Sequence, residues 1–138
     1  MTGPTYELQP IGWVESSLTA LDTAPKQGDE GAPPARIVLR PELHEAAADL
    51  RVGDELIVLT WLHRGRRDVL SVHPRNDTTR ARQGVFSTRS QDRPNPVGLH
   101  TVTIASIEGN TLTVLHLEAI DGTPVIDIKP VLGPAGER

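Results

Sequence analysis

The residue types best suited to chemistry are concentrated in residues 84–99, which read GVFSTRSQDRPNPVGL. This stretch combines hydroxyl and guanidinium side chains with prolines at Pro94 and Pro96. Each proline restricts its own φ and pushes the preceding residue toward extended conformations, so we expect a stiff loop. A stiff polar loop loses little entropy on binding a ligand with several polar groups. A loop of this composition can equally well serve only to cap the end of a barrel.

Positive charge is concentrated in the same part of the chain. The formal net charge is −4, yet eight arginines and three acidic residues lie between residues 64 and 93. Guanidinium groups bind phosphates and carboxylates through paired hydrogen bonds, so the cluster suits an anionic ligand such as nucleic acid. The alternative is a solvated loop surface in which arginines pair with Asp68, Asp77 and Asp92. The arginines are Arg64, Arg66, Arg67, Arg75, Arg80, Arg82, Arg89 and Arg93.

Two histidines are candidate catalytic residues. His63 ends the apolar run 55–63, and His73 follows the short strand predicted at 69–72. Imidazole titrates near neutral pH and can accept a proton, although a histidine at a strand end is often only a hydrogen-bonded rim residue. We expect no metal site, because the five histidines lack the HExxH or other close spacing of metal ligands. The absence of cysteine excludes disulfides, zinc–thiolate sites and a thiol nucleophile.

A second motif, DGTPVIDIKP, occupies residues 121–130. Its first four residues predict a tight turn whose backbone and carboxylate could hold an amino-acid or ribose group. Strand alternation places Asp127 and Lys129 on one face with Val125, and the two intervening isoleucines on the other. Asp127 and Lys129 would then either pair with each other or line a cleft or subunit interface.

The intervening sequence predicts an antiparallel β protein with long loops and one short helix. The length of 138 residues suits one domain. There is no βαβ alternation and no glycine fingerprint opening a helix, so a Rossmann sheet is excluded. The run 55–63 predicts a strand buried on both faces. The other predicted elements are strands at 6–17 (interrupted at 10–12), 35–40, 69–72, 99–107, 111–120 and 125–129, a helix at 41–50, and loops at 24–34 and 76–83.

Nothing in the sequence predicts export or membrane insertion. It has neither a charged-then-apolar leader nor a run of about 18 apolar residues. We therefore expect a cytoplasmic protein with no membrane partner.

Two ordered motifs resemble those of a known family. Residues 86–90 with 93–99, and residues 121–130 downstream, are similar to the signatures of the TsaA-like proteins, the tRNA-methyltransferase O family. The resemblance extends from about residue 10 to residue 130. It implies one TsaA-like domain over residues 1–138, as in the short single-domain members, folded as a small antiparallel β-barrel. It also implies S-adenosylmethionine as cofactor, tRNA as partner, a homodimer, and methylation of N6 of N6-threonylcarbamoyladenosine beside the anticodon.

The resemblance also implies roles for individual residues. Substrate-side candidates are Arg75, Arg93, Asn95 and Lys129, while no catalytic group is implied beyond the candidates His63 and His73. Departures from the family pattern are Lys26 in place of arginine, Gln91 in place of proline and Val131 in place of tyrosine. The implied cofactor-binding residues are Pro25, Lys26, Gln27, His63, Arg64, Arg89, Leu99, Asp121, Gly122 and Thr123.

Two other functions are compatible with the sequence. The first is an S-adenosylmethionine-dependent methyltransferase of a small metabolite, which the acidic net charge favours and the arginine cluster disfavours. The second is a module that binds S-adenosylmethionine without turnover. Only four aromatic residues are present, which provides little surface for stacking on bases.

Overall fold

Most of the regular structure is β-strand. The computed structural model describes residues 3–17, 33–74 and 77–133. Within these residues, 3₁₀ helices cover Pro41–Ala47 and Val85–Ser87, and the first accounts for the helix predicted at 41–50. A proline suits the first position of a helix because its missing N–H would have no partner there. The strands are β1 (Gly12–Glu15), β2 (Ala35–Leu39), β3 (Glu55–Trp61), β4 (Ser71–Val72), β5 (Gln83–Gly84), β6 (Val97–Glu108), β7 (Thr111–Leu115) and β8 (Pro124–Pro130).

Six of these strands form a closed antiparallel barrel. Their order is β1-β2-β7-β6-β3-β8, and β8 returns to pair with β1. Closure satisfies the main-chain hydrogen-bonding groups that an open sheet would expose at its edges. β4 and β5 form a separate two-stranded ribbon. The predicted class, a small antiparallel β-barrel with long loops, is confirmed.

Side chains at alternate strand positions fill the barrel. In β2, Ala35, Ile37 and Leu39 are buried, while Arg36 is exposed. β3 follows the same alternation, so the prediction of a strand at 55–63 buried on both faces is wrong. Its outer side chains remain only half-buried because a barrel has one core, on its inside. The central cluster comprises Val14, Ala35, Ile37, Leu39, Leu56, Val58, Val102, Ile104, Leu112, Val114, Leu117, Ala119 and Val125.

Local backbone geometry ends two predicted strands early. The strand predicted at 111–120 stops at Leu115 because His116 has a φ of 71°, outside the β region. The strand predicted at 6–17 is confined to β1, since Pro10 has no N–H to extend the pairing. Two other boundaries differ from prediction: β6 begins at Val97 and the strand predicted at 69–72 is Ser71–Val72.

A bulge in β8 changes which side chains face the core. The pairing with β3 shifts at Ile126, which is left without a partner. As a result Val125 is fully buried and Ile128 also packs against the core, although their sequence parity differs. The predicted grouping of Val125 with Asp127 and Lys129 on one face is therefore wrong.

The connection between β3 and β6, residues 62–96, is not part of the barrel sheet. We call it the 62–96 segment. It contains the β4–β5 ribbon and the arginine cluster, and residues 75 and 76 within it lie outside the described residues. The segment leaves and re-enters the barrel at one end, where β3 ends and β6 begins.

Candidate functional site

The candidate site lies at the barrel end where β3 stops and β6 and β8 start. A narrow cleft there, with a volume of about 10 Å³, lies between the loop following β3 and the turn preceding β8. Its apolar lining residues are Leu62, Ala119 and the buried Ile120. Three residues predicted to bind cofactor line this cleft: His63, Arg64 and Thr123. Both His63 and Arg64 are exposed, so their polar groups can reach a ligand.

The turn before β8 is tied to the end of β1. Asp121 accepts a hydrogen bond from the Ser16 N–H at 3.0 Å through one carboxylate oxygen. Gly122 has a φ of 84°, a conformation that glycine adopts without strain, and its N–H donates to the Val14 carbonyl at 2.8 Å. The Thr123 hydroxyl is buried and donates to the Ile120 carbonyl at 2.8 Å. The turn is therefore a fixed platform with an exposed Asp121 at the barrel end.

The loop that precedes β6, residues 88–96, which we call the central loop, is braced by its own side chains. Arg93 Nη1 donates to the carbonyls of Thr88 and Ser90, each at 3.0 Å. The Thr88 and Ser90 hydroxyl oxygens accept from the main-chain N–H groups of Ser90 and Asp92. Arg93 was predicted on the substrate side, but both contacts of its guanidinium that we observe shape the loop.

Asn95 is also engaged within the protein. Its Oδ1 accepts from Arg67 Nη2 at 2.7 Å, and the neighbouring Pro94 carbonyl accepts from Arg67 Nε at 2.6 Å. The Arg67 guanidinium in turn lies 5.4 Å from the centre of the Trp61 ring. The sequence placed Arg67 in the cluster, but no spacing distinguished it from the other arginines.

Arg89 differs from these arginines. Its side chain is exposed and makes no hydrogen bond or ion pair within residues 3–17, 33–74 and 77–133. The pKa of His100 is lowered to about 4, first by burial and second by the positive charge of Arg89. The charge of Arg89 therefore acts on the barrel interior. Arg89 is therefore a cation available to a ligand at this end of the barrel.

His100 is a polar residue of the barrel interior that the sequence reasoning missed. It lies on β6, and its Nε2 is 2.9 Å from the Thr60 hydroxyl, itself fully buried on β3. A Cβ on Gly98 would collide with both side chains, so glycine permits the close approach of this pair. Strand alternation from the buried Val102 could have placed His100 on the inner face.

Some predicted site residues lie elsewhere. Leu99 is on the outer barrel face opposite Leu59 and is 47% exposed. Lys129 pairs with Asp127 at 3.3 Å, as one of the two alternatives for these residues anticipated. His73 Nδ1 donates a hydrogen bond to the Arg80 carbonyl, 2.9 Å away, within the 62–96 segment. Four candidates are outside the described residues: Pro25, Lys26, Gln27 and Arg75.

Pairing of the arginine cluster with aspartates occurs at one position among the described residues. Arg66 forms an exposed ion pair with Asp68 at 3.1 Å, and this contact lowers the pKa of Asp68. The side chain of Asp77 instead accepts from Thr79, and that of Asp92 from the Arg66 main-chain N–H. Of the three aspartates considered as partners in the alternative, Asp68 is the one whose carboxylate pairs with an arginine side chain among the described residues.

No group of three or more histidine and carboxylate side chains is placed to hold a metal ion in the described ranges. No helix in the part of the chain that the structure describes is long and apolar enough to span a membrane.

Comparisons with known proteins agree with the barrel. The model of the tRNA-methyltransferase O N-terminal domain matches residues 13–135. A probable S-adenosyl-L-methionine-binding protein of Methanothermobacter thermautotrophicus is 42% identical over 130 residues, which cover 94% of this chain and 93% of that protein. Another probable S-adenosyl-L-methionine-binding protein, from Archaeoglobus fulgidus, is 40% identical over 124 residues, covering 90% of this chain.

A crystal structure of TrmO from Pseudomonas aeruginosa is similar to this chain with a TM-score of 0.76 and 27% identity. The match covers 96% of this chain and 58% of that one, and the Archaeoglobus match covers 33% of its protein. This chain therefore spans only part of these two longer proteins, whereas the Methanothermobacter protein is of similar length. The family model covers most of the sequence and both motifs that carried the resemblance. The chain belongs to the tRNA-methyltransferase O family.

Proposed function

We propose that this chain is an S-adenosylmethionine-dependent methyltransferase that methylates N6 of N6-threonylcarbamoyladenosine beside the anticodon of tRNA. The observation that carries the proposal is the family match over residues 13–135, because it includes both motifs and all of the barrel except the first residue of β1. Relatives named as S-adenosyl-L-methionine-binding proteins support the cofactor. A tRNA substrate would also agree with the expected cytoplasmic location.

The barrel end supplies groups that fit this cofactor. The ligand carries a carboxylate, an ammonium, a ribose and an adenine, so a site for it needs a cation, an anion and an apolar wall. Arg89 and Arg64 provide exposed guanidinium groups, Asp121 an exposed carboxylate, and Leu62 an apolar side chain. With no Rossmann sheet in the fold, loops at the barrel end must hold the nucleoside.

The chemistry assigns the protein mainly a positioning role. When bound, S-adenosylmethionine supplies a methyl group already activated on a sulfonium, so alignment with the acceptor nitrogen accounts for much of catalysis. The acceptor nitrogen is a poor nucleophile because its lone pair is delocalised into the carbamoyl group, and its proton must leave during attack. His63 lies exposed at the cleft and can take that proton, either directly or through water. His73 is a weaker candidate because it does not line the cleft, although its Nδ1–H donates to the Arg80 carbonyl and leaves Nε2 as a proton acceptor.

The arginines that the fold does not occupy are the proposed contacts for tRNA. Arg89 and Arg80 are exposed and make no side-chain hydrogen bond or ion pair in the described ranges. Binding of phosphates by such groups releases counterions, so the affinity for tRNA should fall steeply as salt concentration rises. A small-metabolite acceptor would show a much weaker dependence on salt.

We also propose that the active form is a homodimer. Val97 and Leu99 on β6 are 37% and 47% exposed and adjoin the half-buried Leu59 on the outer barrel face. A second copy could cover this apolar surface and bring more positive charge to the substrate. Light scattering during size-exclusion chromatography should give twice the mass of one chain, and a monomeric mass at micromolar concentration would contradict this.

Calorimetric titration with S-adenosylmethionine and S-adenosylhomocysteine tests the cofactor site first. We expect both to bind, and failure of both would contradict the proposed cofactor. Transfer of radiolabelled methyl to threonylcarbamoylated tRNA then tests the acceptor, with tRNA lacking the threonylcarbamoyl group as the control. Binding of S-adenosylmethionine without methyl transfer in a single-turnover assay would favour the non-catalytic module. Methyl transfer to a small acid or amine would favour the metabolite methyltransferase.

A further inference from the structure

The two loops that carry the candidate site are joined to each other outside the barrel. The loop 62–68 follows β3 and includes His63 and Arg64, and the loop 88–96 precedes β6 and includes Arg89. Three main-chain donors link them: Leu62 N–H to the Pro96 carbonyl at 2.7 Å, Arg66 N–H to Asp92 Oδ1 at 2.8 Å, and Arg93 N–H to the Arg66 carbonyl at 2.9 Å. The relative position of the two loops is therefore set by contacts between them.

One side chain completes this junction. Arg67 donates from Nε to the Pro94 carbonyl and from Nη2 to Asn95 Oδ1, at 2.6 and 2.7 Å. Its guanidinium also lies against the Trp61 ring, 5.4 Å from the ring centre. Arg67 thus connects Trp61, at the end of β3, to Pro94 and Asn95, which directly follow Arg93 in the central loop.

The brace extends the effect of this contact to Arg89. Because Arg93 binds the carbonyls of Thr88 and Ser90, the chain around Arg89 is tied to Arg93. Because Arg67 binds Pro94 and Asn95, it also holds the loop 88–96 against the loop 62–68.

We propose that Arg67 is a positioning residue of the cofactor site, which fixes the loop bearing Arg89 relative to His63 and Arg64 by its paired bonds to Pro94 and Asn95. This inference rests on the proposed function, because it takes the ligand to be S-adenosylmethionine. Lysine cannot replace Arg67, because the two bonds need two donors held in one plane. The neighbouring Arg66 offers a matched control, since its guanidinium pairs with Asp68 and its links to the central loop are main-chain.

The experiment compares Arg67→Lys with Arg66→Lys. At adjacent positions, each substitution replaces a planar guanidinium by an ammonium group and keeps the positive charge. Binding of S-adenosylhomocysteine is measured by calorimetry, and amide hydrogen exchange is followed over residues 86–99. For Arg67→Lys we expect a loss of affinity of about tenfold and faster exchange in that peptide, because small misplacements of binding groups are costly. Arg66→Lys should match the wild type in affinity and in amide exchange. The melting temperatures of the two variants should stay close to that of the wild type.

A double-mutant cycle with Asn95→Ala supplies a readout that general loss of structure would not produce. If Arg67 acts through Asn95, then Asn95→Ala weakens S-adenosylhomocysteine binding in the wild type but has a smaller effect in Arg67→Lys. Three outcomes would each overturn the inference. Arg67→Lys could bind S-adenosylhomocysteine with wild-type affinity, Arg67→Lys and Arg66→Lys could lose the same affinity, or the two effects in the cycle could be additive. Failure of the wild type itself to bind the ligand would instead overturn the proposed function, and the inference with it.

Discussion

In the barrel, main-chain hydrogen bonds join each strand to two neighbours, whereas in the 62–96 segment several of the long-range bonds come from guanidinium groups. Burial differs as well. The barrel contains thirteen side chains of the central cluster, while Val85 and Pro96 are the fully buried residues within the described part of the 62–96 segment. Hydrophobic burial therefore stabilises the barrel, and polar contacts shape the segment that carries the candidate ligand groups.

The largest expected effect is on the barrel core. Ile37→Ala removes a fully buried side chain and should lower the free energy of unfolding by about 2–5 kcal/mol, because it leaves a cavity among packed neighbours. Urea titration followed by circular dichroism measures this loss. Ile107→Ala is the matched control, because Ile107 is 36% exposed and its truncation should lower the free energy of unfolding much less. Equal losses at the two positions would contradict the barrel as the source of stability.

The half-buried His100 on the inner face of β6 should make the barrel sensitive to acid. Its pKa is lowered to about 4 in the folded protein, so between that value and its ordinary 6.5 the unfolded chain binds a proton that the folded chain does not. Stability therefore falls as pH decreases through this window, by up to about 3 kcal/mol. Urea titrations at pH 7 and pH 4.5 measure the difference. In His100→Gln this part of the pH dependence should disappear, and an unchanged pH profile would contradict a lowered pKa at His100 as its cause.

Gly65→Ala tests the contact between the two loops of the 62–96 segment. A Cβ at Gly65 would collide with the Gln91 carbonyl and contact Pro96, so one loop must move. We expect a loss of about 1–3 kcal/mol from such overpacking, together with weaker binding of S-adenosylhomocysteine. Gly84→Ala is the control, because a Cβ there meets only the Leu70 carbonyl at 4.0 Å. If Gly65→Ala bound the ligand like the wild type, the junction would not determine the site.

Arg89→Ala should have the smallest effect on stability and a large one on binding. Its side chain makes no hydrogen bond or ion pair in the described ranges, so its removal should change the free energy of unfolding by less than about 0.5 kcal/mol. Binding of S-adenosylmethionine or of tRNA should be lost. Thermal denaturation and calorimetry on one preparation measure both, and a large drop in melting temperature would assign Arg89 a structural role.

Prediction from the sequence was most accurate where the pattern is local. The strands predicted at 99–107 and 111–120 correspond to β6 and β7, because apolar and polar residues alternate on both sides of the Gly109–Asn110 turn. Gly109 in this turn has a φ of 59°. The prediction failed where the chain departs from regular alternation. Neither the positive φ of His116 nor the bulge at Ile126 has a composition signal. The bulge arises in the pairing of β8 with β3, a strand that is distant in sequence.

By itself, the sequence determined the class of fold and, through its two motifs, the family. Alternation, turns and ordered motifs are properties of neighbouring residues, and neighbouring residues are what a sequence records directly. Only the tertiary structure decided what each arginine does. Arg67 binds residues 27 and 28 positions later and Arg93 braces its own loop, while Arg89 is left available. Identical side chains take different roles here because a guanidinium's partners are mostly main-chain carbonyls, which every residue has and only the folded chain brings within reach.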